Sequence, residues 1–107
     1  MNNQVVIITG ASSGIGKALA FEYGRKRAQI VITGRNEQNL LEAETELRKA
    51  GIKAKGIVCD SASEEQTREM VATVIQLFGR IDLLVVVGDE FGDLDLGAHR
   101  IVGHRHV

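Results

Sequence analysis

Short unbroken apolar runs punctuate this chain: V-V-I-I at 5–8, I-V-I at 30–32, I-V-C at 57–59 and L-L-V-V-V at 83–87. Runs without polar alternation suit strands buried on both faces, as parallel sheets require. Strands are therefore predicted over Val5 to Thr9, Ile30 to Thr33, Ala54 to Cys59 and Leu83 to Val87. Between them the apolar period changes from continuous to helical. The first helix begins at a glycine-rich turn, with Ile15, Ala18 and Leu19 as its expected inward face. In the second, Leu40, Ala43, Leu47 and Ala50 share a face, with Asn36 placed to cap and Gly51 to terminate. The third opens on Ser63 with Gln66 three residues on, a capping box, carries Val71, Val74, Ile75 and Phe78, and stops at Gly79. Strands alternating with helices predict an α/β fold built on a parallel sheet.

The end of the first helix lacks the usual residue. R-K-R-A at 25–28 stands where a left-handed glycine or asparagine is expected, so Arg27 would adopt a positive φ at a cost of about 1 kcal/mol relative to glycine. Beyond residue 88 the periodicity lapses. Residues 89–107, with their scattered glycines and histidines, read as an irregular tail following a unit at 1–88, with one helical turn or a short strand at Ile101 and Val102 as its only expected order.

Composition narrows the function classes. A chain of 107 residues with 44% hydrophobic and 25% charged residues has the makeup of one globular domain. A net charge of −1 and a pI near 6.3 supply no field to gather nucleic acid or an anionic membrane. No apolar run approaches the roughly 20 residues that span a bilayer, and no signal-peptide pattern opens the chain, so a cytoplasmic protein is expected. The lone cysteine, Cys59, sits in an apolar strand and reads as a small buried hydrophobe. His99, His104 and His106 lack supporting cysteine or carboxylate ligands and read as solvated, not metal-bound.

The candidate chemistry lies in T-G-A-S-S-G-I-G at 9–16, which joins the first strand to the first helix. Gly10 allows a sharp exit from the strand, Gly14 lets backbone approach a pyrophosphate, and Gly16 permits tight packing of helix on sheet. Amides at the helix start, aided by the helix dipole, then favour an anion. At the end of the second strand Gly34 stands where a carboxylate would bind a ribose 2′-hydroxyl and repel a 2′-phosphate. Arg35 follows, offering a guanidinium to a phosphate, which favours NADP(H) over NAD(H).

This motif, with V-I-T-G-R-N-E-Q at 31–38, V-C-D-S at 58–61 and F-G-R-I-D-L-L-V at 78–85, resembles the short-chain dehydrogenase/reductase family over about residues 3–88. The resemblance implies a Rossmann-like three-layer fold, a partial parallel sheet of about four strands in the order 3-2-1-4 with three helices, and a dinucleotide as partner. It places Ser12, Ser13 and Ile15 at the cofactor phosphates or adenosine ribose, and Asp60 and Ser61 against the adenine. It also exposes departures. Where the family reads L-V-N-N-A-G, this chain has Leu84, Val85, Val86, Val87, Gly88 and Asp89, two valines for two asparagines.

The family's proton donor is a tyrosine with a lysine four residues later, assisted by serine and asparagine. The only tyrosine here, Tyr23, lies in the first helix with Arg27 four residues on, so it is not carried over as catalytic. The expectation is a cofactor-binding half of a longer reductase, truncated or altered after about residue 88 and inactive alone. The alternative is a non-enzymatic unit that self-associates through the fourth strand, predicted to be a bare apolar sheet edge.

Overall fold

The computed structural model describes residues 4–10, 14–60, 62–87 and 99–103. Its elements run β1 (Val5–Thr9), α1 (Gly14–Arg25), β2 (Gln29–Gly34), α2 (Glu37–Lys49), β3 (Ala54–Val58), α3 (Glu64–Phe78), β4 (Leu83–Val87) and β5 (His99–Gly103). They form one sheet in the order β3-β2-β1-β4-β5. The first four strands pair in parallel, with Val6 opposite Ile30 and Leu83 on its two sides and Ile32 opposite Gly56. This is the predicted 3-2-1-4 arrangement with its three helices.

Both faces of the sheet are covered, which explains the unbroken apolar runs. On one face Val6, Ile8, Ile30 and Ile32 meet Ala20 of α1 and Leu40, Ala43 and Leu47 of α2. On the other, Val5, Ile7 and Val31 meet Met70 and Val74 of α3, joined by Cys59 and Ile81. A fully buried valine or isoleucine contributes roughly 1.5–3 kcal/mol relative to exposure, so these strands dominate the hydrophobic term.

The expected inward face of α1 needs correction. Ile15 is 45% exposed and Ala18 is exposed, whereas Gly16, Ala20 and Gly24 are the buried positions. These three recur every fourth residue, so α1 lies on the sheet by a small-residue stripe that permits close approach. Apolarity alone misleads here because the face is chosen by size. Leu19 does pack against the core from a partly buried position. In α2 the predicted Leu40, Ala43 and Leu47 are buried, but Ala50 is the exposed C-cap.

The termini follow local chemistry. Asn36 Oδ1 accepts the Asn39 N–H at 2.9 Å, and Ser63 Oγ accepts the Gln66 N–H at 3.2 Å. The reciprocal arm of the predicted capping box is diverted: the Gln66 side chain accepts the Asp60 N–H at 2.8 Å, and the Ser63 N–H goes to the Asp60 carbonyl at 2.9 Å. At the far end of α2, Gly51 has φ 83 and its N–H reaches the Arg48 carbonyl while the Ile52 N–H reaches that of Leu47, a Schellman closure. The end of α1 repeats the pattern. Arg27 donates to the Gly24 carbonyl at 2.9 Å and Ala28 to that of Tyr23 at 3.3 Å, with Arg27 at φ 70.

The tail changes the predicted sheet edge. β5 pairs antiparallel with β4, setting Leu83 opposite Gly103 and Val87 opposite His99. The β4 edge expected to be bare, and to carry self-association, is thus paired within the chain. The physical reason is that an unpaired apolar strand recruits the nearest extended segment, here one that contains Ile101 and Val102. Of the predicted irregular tail, residues 89–98 and 104–107 lie outside the described residues.

Candidate functional site

Parallel strands end together, so the loops after β1, β2 and β3 emerge along one rim of the sheet. Gly10 follows β1, Arg35 follows β2 and Asp60 follows β3 by two residues. The register fixes their order along that rim, Thr9 opposite Thr33 and Gly34 opposite Val58. Gly10 has φ 67 and donates its N–H to the Thr33 carbonyl at 3.0 Å. It therefore turns the chain out of β1 while extending the ladder, and its amide is spent on the sheet.

Gly14 opens α1 with φ 63, and a Cβ built on it would meet no atom of the described residues within 4 Å. Open space beside a backbone that disfavours side chains is what close approach of a phosphate group requires. Gly16 is a buried position of α1, and Ile15 lies half out of the surface in the first turn. Ser12, Ser13 and Ser61 fall outside the described residues.

Around β2 and β3 the predicted contacts separate. Arg35 is exposed just beyond Gly34, and among the described residues a Cβ on Gly34 would meet only Leu40 Cδ1, at an ordinary 3.7 Å. Asp60 is half-buried, and its Oδ1 accepts the Ala62 N–H at 3.0 Å. Together with its links to Ser63 and Gln66, this makes Asp60 the organiser of the turn into α3. The sequence reading missed that structural duty, although an aspartate three residues before a helix cap is a signal for it. Cys59 beside it is 2% exposed, and burial, with the neighbouring Asp60 charge, raises its thiol pKa against a lowering contact from Thr67. A thiol held in that state is inert as a nucleophile.

Two threonines line the strand ends. Thr9 Oγ1 stands 3.5 Å from the Val85 carbonyl, tying β1 to β4 at the point where the sheet order reverses. Thr33 Oγ1 is buried and has no hydrogen-bond partner among the described residues. Tyr23 packs partly buried against the core of the α1–α2 face. A cavity of about 470 Å³ opens at the opposite end of the sheet, among Val5, Gly24, Arg27, Ala28, Lys53 and Phe78, and holds none of the predicted site residues.

Comparison with known proteins identifies the family. The short chain dehydrogenase family model matches residues 4–88. A peroxisomal 2,4-dienoyl-CoA reductase of Arabidopsis thaliana is 40% identical over 85 residues, covering 79% of this chain and 28% of that protein. A putative ketoacyl reductase of Streptomyces coelicolor is 36% identical over 84 residues, covering 78% and 32%. This chain thus spans about a third or less of the curated relatives it matches. Among solved structures, an actinorhodin polyketide ketoreductase with NADPH superposes with a TM-score of 0.77 at 36% identity, covering 79% of this chain and 33% of that one. A metagenomic short-chain oxidoreductase in complex with NADP gives 0.75 at 34%, covering 78% and 38%. With the strand order, the glycine turn and the match over 4–88 in agreement, this chain belongs to the short-chain dehydrogenase family.

Proposed function

We propose that this chain is the NADP(H)-binding unit of an oxidoreductase that moves hydride between a nicotinamide and a carbonyl or alcohol, and that these 107 residues do not turn over by themselves. Gly10 and Gly16 would shape the turn in which Ser12, Ser13, Gly14 and Ile15 meet the phosphates and the adenosine ribose, with Arg35 at the 2′-phosphate and Asp60 and Ser61 at the adenine. The observation that carries the reading is the rim itself: a glycine turn with open space at Gly14, next to an exposed Arg35 that follows a glycine. The bound NADPH and NADP of two structural neighbours support the same choice of cofactor.

When bound, the dinucleotide supplies the hydride. This chain's residues position it: backbone amides meet the pyrophosphate, and the guanidinium of Arg35 neutralises the additional phosphate. A proton donor for the carbonyl is a separate requirement. Tyr23 in α1 cannot meet it, since it packs into the core and has Arg27 where the family has lysine. A cytoplasmic location accords with the buried, unpaired Cys59 and with the finding that no described helix is long and apolar enough to cross a membrane.

The cofactor preference is tested by Gly34→Asp. The side chain fits, because the nearest atom to a new Cβ is 3.7 Å away. A carboxylate set against the 2′-phosphate should weaken NADPH at least about tenfold, since like-charge contacts cost several kcal/mol, while NADH binding holds or improves. An unchanged ratio of NADPH to NADH affinity in calorimetry would remove Arg35 and Gly34 from the site.

A further inference from the structure

β3 is the outermost strand on its side of the sheet, and such an edge ordinarily offers free backbone groups to any extended chain. Hydrogen bonding along a strand alternates between its two sides. The Lys53 carbonyl accepts from Ile30 at 2.8 Å and the Cys59 N–H donates to Gly34 at 2.9 Å, so the odd-numbered residues face β2. The groups of Ala54, Gly56 and Val58 therefore point outward.

Two of these six outward groups, the Gly56 N–H and the Ala54 carbonyl, are occupied by side chains. Glu44 of α2 accepts the Gly56 N–H at 2.9 Å, and Arg48 Nε donates to the Ala54 carbonyl at 2.9 Å. The two side chains are joined to each other at 3.0 Å. Beyond the strand, Gln66 of α3 accepts the Asp60 N–H. Gly56 makes the clamp fit, because a Cβ there would stand 3.0 Å from both Glu44 Oε1 and Leu40 Cγ. Val58, which is 52% exposed, has no such clamp among the described residues.

We propose that the outer edge of β3 is a strand-addition surface held shut by Glu44, Arg48 and Gln66, and that the β3 of a second copy of this chain is the partner it takes when the clamp is removed. The sequence A-K-G-I-V suits antiparallel self-pairing about Gly56: Ala54 falls opposite Val58 of the second copy, and Lys55 opposite its Ile57. No lysine then opposes a lysine, so charge does not forbid the pair. Such pairing needs the Gly56 N–H and the Ala54 carbonyl, the two groups the clamp engages.

The test uses the full chain carrying Glu44→Ala with Arg48→Ala, compared with the parent by light scattering across a concentration series. The expected result is an apparent mass that rises about twofold with concentration, as a closed two-fold pair requires. Adding Val58→Pro should restore the parent's mass, because it removes an outward N–H without touching the β2–β3 ladder. Glu44→Gln, which keeps the acceptor for Gly56, should behave as the parent does. A folded double variant with the parent's mass at every concentration would overturn the proposal. So would a parent chain in which the Gly56 amide exchanges hydrogen as fast as that of Val58, a measurement that depends on no variant.

Discussion

Arg27 shows how far a single residue can be read from its neighbours. The sequence leaves no glycine at the end of α1, and the structure places Arg27 at φ 70 within the same pair of closing hydrogen bonds that Gly51 makes after α2. Arg27→Gly should therefore raise stability by about 0.5–1 kcal/mol, because the left-handed conformation penalises a Cβ. Chemical denaturation with an unchanged slope would check this, and a lowered midpoint would mean that the arginine side chain contributes more than its backbone costs. Thr33 and Asp60 were less legible. A threonine in an apolar strand gives no sign that its hydroxyl will find no partner among the described residues, and the family motif that draws attention to Asp60 hides its role in the turn into α3.

At the level of elements, pattern located strands and helices well but misjudged one helix face. α2 and α3 carry ordinary apolar stripes with caps, and their ends fall where Asn36, Gly51, Ser63 and Gly79 put them. α1 buries Gly16, Ala20 and Gly24 instead of Ile15, since its distance from the sheet is set by residues that have almost no side chain. Gly24→Ala tests this. Helix propensity alone favours alanine by about 1 kcal/mol, yet the new Cβ would stand 2.5 Å from Ile52 Cγ2, and 2.8 Å from its Cγ1 and Cδ1. Crowding of a branched buried side chain costs roughly 1–3 kcal/mol, so the variant should be less stable in thermal melts. A gain in stability would show that α1 can lift from the sheet without loss. β5 was the element least visible in sequence. Its five residues, H-R-I-V-G, have no strong pattern of their own and pair with the apolar β4.

For the whole molecule, the four parallel strands bring the ends of β1, β2 and β3 to a single rim, and that convergence turns a glycine motif, an arginine and an aspartate into one candidate site. The fold was legible because burial on both faces leaves unmistakable apolar runs. The site was legible only in part, because spacing reports the backbone geometry of a turn but not how many of its amides the sheet consumes, as it does at Gly10. The central claim is dinucleotide binding at this rim, and calorimetric titration of the parent chain with NADPH and with NADH tests it most directly, with Gly14→Val as the steric control. Gly14 has φ 63, where a β-branched residue is strained and would fill the open space beside the backbone. The predicted result is NADPH binding tighter than NADH and lost in a Gly14→Val variant that keeps the parent's circular dichroism. No heat from either dinucleotide up to about 1 mM, corresponding to less than about 4 kcal/mol of affinity, or equal binding by the variant, would contradict the account.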